Sequence, residues 1–177
     1  MYQQILLAVA LQQWDEFSSH AIAAREAAVA LAHGSGAQLS VLSVYDYDDE
    51  KPEALSLSSV ELARYRDTQM LRTDELMATK MTAFLAGVPI HEPPITPLLK
   101  VGDPRQLIVA TAEALGVDLL VIGAHSKRSF LDVLLGGTAT AVSRHAPCAV
   151  VMVQPGEKRP LVQTSKVGKI LQATTPG

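Results

Sequence analysis

One cysteine, Cys148, stands in a chain of 177 residues. An intrachain disulfide framework and a cysteine-based zinc site are therefore excluded. Aromatic residues make up only 5%. No apolar run approaches the roughly 18 residues of a spanning helix, so no membrane span is expected. Residues 1–10 lack the basic start of a signal peptide, and the expected location is cytoplasmic. Positive charge is not in excess either: the formal net charge is -3, and nothing in that balance asks for a nucleic-acid partner. The five histidines show no ligand spacing, so no metal held by protein ligands is expected.

What the chain has is apolar substance: 48% hydrophobic and 19% charged residues, enough for one ordinary domain with its own core. Gln3 to Val9 reads as a strand buried on both faces. Phe17, Ala21, Ala24, Ala28 and Leu31 then mark one face of a helix between Asp15 and His33, stopped by Gly34 and Gly36. Gln38 to Val44 is a second strand. The acidic stretch Tyr45 to Ala54 reads as a solvated loop, or alternatively as the rim of a ligand cleft. Ser58 and Glu61 form a capping box ahead of a helix reaching about Leu85, with Val60, Tyr65, Leu71, Met77, Met81 and Phe84 on one side.

Past a proline-rich connector (Pro89 to Pro97), Leu98 to Val101 is a short third strand. Gly102-Asp103-Pro104 is a helix start, with an aspartate cap followed by proline. That helix ends at Gly116. Asp118 to Ile122 is the fourth strand, closing on Gly123. A loop of about a dozen residues leads to Gly136-Gly137 and a helix ending near His145. Ala149 to Val153 is the fifth strand. Residues 155–177 carry four basic residues (Lys158, Arg159, Lys166, Lys169) against one acid, and read as a flexible basic tail beyond a domain of 1–154. Alternating strands and helices predict a doubly wound three-layer α/β sandwich with a parallel sheet.

Ligands bind such sheets outside the carboxyl ends of the strands. The richest candidate is the segment from Gly123 to Thr138, with Ser126, Lys127 and Arg128 inside it. Two readings stay open on composition. It is an anion cradle, with Gly136-Gly137-Thr138 opening a helix toward a phosphate. Or it is a glycine-stopped strand and a glycine-started helix, with two solvated basic residues. Asp103 reads as a cap, His145 as a helix-end residue suited to the dipole, and Cys148 as a small buried hydrophobe. Ser126, His125 and Asp132 lack a nucleophile-elbow pattern, so no hydrolase triad is drawn.

Several segments together resemble the universal stress protein (UspA-like) family. They are Tyr2 to Val9, Val101-Gly102-Asp103-Pro104 with Ile108 and Ala112, Asp118 to Gly123, Leu134-Leu135-Gly136, and above all Ser143-Arg144-His145-Ala146-Pro147-Cys148-Ala149-Val150-Val151. The resemblance spans residues 2 to 153. It implies a five-stranded parallel sheet of order 3-2-1-4-5, and a homodimer formed through the edge strand 149–153. It also implies ATP or another adenine nucleotide in a cleft of Ala8, Ala10, Val44, Ile122, Gly123, Ser126, Lys127, Gly136, Gly137 and Thr138.

The nucleotide-binding members carry G-x-x-G, nine residues, then G-[S/T]. Here Gly123 and Gly136 match and the spacing is kept, but Ser126 and Gly137 depart from the pattern. The family aspartate that contacts the adenosine part is Ala10 here. Losing a hydrogen bond to a charged group costs on the order of 1.5–3 kcal/mol. Three functions follow: a stress-response or signalling protein that senses an adenine nucleotide; a dimeric interaction protein with a degenerate site and an unknown protein partner; or a weak ATPase, least favoured because no base or water-positioning group stands out.

Overall fold

The computed structural model describes residues 1–12, 16–47, 58–89, 93–123, 126–129, 132–135 and 137–155, the segments 126–129 and 132–135 by their backbone. Seven strands and four helices lie among them: β1 (Gln4–Val9), α1 (Ser19–Ser35), β2 (Gln38–Tyr45), α2 (Ser59–Ala86), β3 (Thr96–Val101), α3 (Pro104–Ala114), β4 (Leu119–Gly123), β5 (Ser126–Ser129), β6 (Asp132–Leu135), α4 (Gly137–His145) and β7 (Ala149–Val153). The main sheet is parallel, in the order β3-β2-β1-β4-β7. The expected 3-2-1-4-5 sheet is thus present, with β7 as its fifth strand.

Strand alternation sorts the core into two layers. Ile5, Leu7 and Val9 of β1 pack with Ala21, Ala24, Ala28 and Ala32 of α1 and with Met77, Met81 and Phe84 of α2. Leu6 and Ala8 face the other way, onto Ile108 and Ala112 of α3 and Val142 of α4. A central strand buried on both faces has to be apolar at every position, which is why β1 reads as an unbroken run. The alanine stripe of α1 brings that helix close to the sheet. Its caps are local: the Ser18 hydroxyl accepts from Ala21 N–H at 3.2 Å, and Gly36 closes the helix at φ 69°.

Four expectations change. β3 begins at Thr96 and absorbs Pro97; proline fits because β3 is an edge strand. α1 starts at Ser19, leaving Phe17 ahead of it against the core. The α2 capping box is formed as expected, and its hydrogen bonds from Ser58 hold the Glu61 carboxyl below its usual range. However, Val60 and Leu71 are exposed, and the buried residues of α2 are Met77, Met81 and Phe84. Helical period sets a face, but only tertiary contact buries it. The expected loop after β4 contains an antiparallel ribbon, β5 against β6, pairing Ser126 with Leu135 and Ser129 with Asp132. The two residues between the strands lack the Asn-Gly type of signature that announces a hairpin. The expectations for 156–177 and for 48–57 lie outside the described residues.

Ser43, in β2, is fully buried, and its hydroxyl has no hydrogen-bond partner among the described residues. An unpaired buried hydroxyl costs more than it contributes. Ser43→Ala is expected to stabilise the fold by about 1 kcal/mol. The measurement is the urea midpoint at unchanged slope; a fall in the midpoint would mean that the hydroxyl has a partner.

Candidate functional site

Beyond the carboxyl ends of β1, β2 and β4 lies a cavity of about 730 Å³. Ala8, Val9 and Ala10 supply one wall, and Leu42, Val44, Tyr45 and Asp46 the next. Ile122 and Gly123 close the β4 side. Three helix starts complete the lining: Ser18, His20 and Ala21 of α1; Asp103, Pro104 and Arg105 of α3; Gly137, Thr138 and Ala139 of α4. Helix N-termini carry a positive dipole end that favours an anionic ligand, although the Ser18 hydroxyl and the Asp103 carboxylate already accept one N–H each in α1 and α3. Apolar wall comes mainly from the strand ends (Ala8, Val9, Ala10, Leu42, Val44 and Ile122), and Gln12 and Asp46 add polar groups.

Gly123 has a packing reason to be glycine. A Cβ there would lie 3.0 Å from the His20 carbonyl oxygen and 3.3 Å from its carbon, both backbone atoms at the start of α1. At Gly137 an added Cβ would meet no atom of the described residues within 4 Å, so none of these excludes a serine there.

The loops after β1 and β2 are tied together and to α2. The Gln12 side-chain amide donates to the Asp46 carbonyl at 2.6 Å and accepts from the Asp46 N–H at 3.0 Å. Lys80 of α2 donates to the carbonyls of Leu11 (3.2 Å) and Gln12 (3.4 Å). Asp74 of α2 accepts from both the Tyr45 and the Tyr47 hydroxyl on one carboxylate oxygen, at 2.6 and 2.9 Å. The rings of these tyrosines stand edge to face at 6.0 Å. The solvated-loop reading therefore fails at this point: Tyr45 is buried and both hydroxyls are bound.

Burial, then the bond to Asp74, pushes the Tyr45 phenol well above its ordinary value; for Tyr47 the bond to Asp74 is the main cause of a rise. A raised pKa means the folded state holds its proton more tightly. This stability is complete below the unfolded value of about 10 and is lost as pH rises toward the folded one. Urea midpoints are expected to fall from about pH 10 upward, and to fall less steeply in Tyr45→Phe, which has no such proton to lose. Equal slopes in the two proteins would refute the arrangement.

A profile of the universal stress protein family matches residues 1–154. The chain belongs to the universal stress protein family. A universal stress protein from Thermus aquaticus is 30% identical over 154 residues, covering 87% of this chain and 100% of that one. The structure of UspA from Lactobacillus plantarum is 27% identical with a TM-score of 0.56, covering 86% of this chain and 97% of that one. A universal stress protein in complex with cAMP shares the fold at a TM-score of 0.52 and 20% identity, over 88% of this chain and 99% of that one.

In this universal stress protein, seven of the residues expected at the site line one cavity: Ala8, Ala10, Val44, Ile122, Gly123, Gly137 and Thr138. Gly136 and the side chains of Ser126 and Lys127 lie outside what is described. Tyr45 and Asp46 line it too, as the rim reading of the acidic stretch expects, and Gln12, His20, Gly102, Asp103, Arg105 and Ile108 line it without having been named among the site residues. Asp103 is the α3 cap, accepting from Arg105 N–H at 2.8 Å, and also faces the cleft. His145 sits at the end of α4, its Nδ1 2.8 Å from the Ala141 carbonyl, which accepts from the ring in the matching tautomer. Cys148 is half-buried against the second core layer, and burial pushes its thiol up. No group of three or more His, Cys, Asp or Glu side chains suited to a metal is found among the described residues. No helix among them is long and apolar enough to cross a membrane.

Proposed function

We propose that this universal stress protein is a cytoplasmic stress-response or signalling protein that senses an adenine nucleotide, ATP or AMP, in the cleft at the strand ends. The observation that carries the reading is the convergence of the starts of α1, α3 and α4 on one cavity whose strand-end walls are largely apolar. Its volume of about 730 Å³ suits a ligand of nucleotide size. The base and ribose would lie against Ala8, Ala10, Val44 and Ile122. The phosphates would lie toward Gly123, Ser126, Lys127, Gly136, Gly137 and Thr138. That cAMP accompanies a relative of the same fold adds support.

The output is conformational. Phosphates would bind against the segment between Gly123 and Gly137 and so alter a homodimer formed through β7. Support for that dimer comes from β7, which among the described residues pairs with β4 alone in the sheet and where Val151 is exposed. The domain is 1–154, and 155–177 serves as a basic tail. A ligand shifts such an equilibrium only by its differential affinity for the two states.

Calorimetric titration of nucleotide-stripped protein with ATP, AMP and cAMP, with magnesium present, tests the reading. Saturable micromolar binding is expected for at least one of them. Absence of heat from a folded protein would overturn it. A second reading then takes over, a dimeric interaction protein without a nucleotide, and Ala10 favours it: an exposed methyl stands where the family aspartate would be.

A further inference from the structure

Gln12 spends its carboxamide in an unusual way. Its donor and acceptor are both engaged by the backbone of one residue, Asp46, across the mouth of the cleft, and both residues line the cavity. A carboxamide offers a hydrogen-bond donor beside an acceptor. So does the adenine edge formed by the 6-amino group and N1. The Asp46 N–H and C=O are thus a ready receptor for such an edge, at present filled from within the chain.

The lips of the cleft do not depend on this contact for their positions. Leu11 is buried in the core, and Lys80 holds the carbonyls of Leu11 and Gln12. On the other side Tyr45 is buried with its hydroxyl on Asp74, and its carbonyl accepts from Gly102 N–H at 2.9 Å. The Asp46 carboxylate is turned onto the Tyr47 N–H at 2.9 Å. Both Gln12 bonds lie at the exposed surface, where water can replace them. The side chain can therefore leave without unfolding either loop.

We propose that Gln12 is a displaceable latch and a specificity-determining residue: it occupies the Asp46 backbone pair in the free protein, and a ligand with a matching donor–acceptor edge replaces it. The proposal rests on the adenine-nucleotide reading above. Competition from the latch reduces the apparent affinity to the intrinsic affinity times the fraction of time the latch is open, so a latch open about one-tenth of the time weakens binding about ten-fold. It penalises ligands that use the Asp46 pair and leaves others unaffected.

The test compares wild type with Gln12→Met, which removes both hydrogen bonds at similar volume, and with Gln12→Ala. The probes are AMP and ribose 5-phosphate, which lacks the base. The expected result is AMP binding about ten-fold tighter in both variants, with ribose 5-phosphate unchanged. The Asp46 amide should exchange faster in free Gln12→Met than in wild type, and slow again with AMP. Equal AMP affinity in wild type and Gln12→Met, an equal gain for ribose 5-phosphate, or a gain confined to Gln12→Ala overturns the latch while the nucleotide reading stands. Weaker AMP binding by Gln12→Met also overturns it, because Gln12 would then be a ligand contact. If AMP binds none of the three folded proteins, the nucleotide reading fails and the latch fails with it.

Discussion

Phe84→Ala is expected to cost about 3–5 kcal/mol of stability. Phe84 is fully buried on the inner face of α2. Its ring meets Phe17 edge to face at 5.1 Å, and the Arg25 guanidinium of α1 stands 5.0 Å from its centroid. The same guanidinium donates to the Phe84 carbonyl at 2.5 Å, satisfying a backbone acceptor in the last turn of α2. Truncation removes a large apolar volume and leaves the cation without its ring. Phe84→Leu keeps most of the volume and is expected to cost under about 1.5 kcal/mol. Urea unfolding of the three proteins measures both. A loss below 1 kcal/mol for the alanine variant would mean that α1 and α2 do not meet at this ring.

Ala10→Asp is expected to strengthen adenine-nucleotide binding by roughly ten- to a hundred-fold, the equivalent of a regained hydrogen bond to a charged group. Ala10 lines the cleft and is exposed, so a carboxylate there stays hydrated in the free protein. Folding stability should change by no more than about 0.5 kcal/mol. Titration with AMP reads the affinity. Ala10→Asn separates charge from hydrogen bonding: it should recover only part of the gain. Unchanged affinity in a folded Ala10→Asp protein would show that the nucleoside does not reach this end of the cleft.

The sheet was legible because a parallel strand covered on both faces has little choice of residue, as in Gln3 to Val9; Ala149 to Val153 is equally apolar in sequence, although Val151 on this edge strand is exposed. The ribbon of β5 and β6 was not. Its strands are short, and Phe130-Leu131 gives no turn signal. In α2 the periodicity ran along the helix, but nothing local says how far a neighbour follows it. Cleft residues at strand ends, such as Ala8, Val44 and Gly123, follow from the rule that places ligands there. The same rule applies to Gly102-Asp103-Pro104-Arg105 after β3, where the strength of the capping signal hid a second role. Gln12 and His20 depended on which loops the fold brings together. Gly123 carries both open meanings at once, since the close approach of α1 requires a glycine whatever the cleft holds.

Asp74 and Lys80 lie six positions apart on α2, and each grips a different lip of the cleft. Opening the mouth therefore pulls on one rod at two points. From Lys80 back to Ser59 that rod extends about 30 Å at the usual helical rise, and its distal part presents Val60 and Leu71 outward. A few degrees of tilt at the gripped end sweep the far tip through a much larger arc than the cleft itself moves. In a rigid rod held in this way the far tip has the longest reach, and Val60 and Leu71 stand on that part of α2.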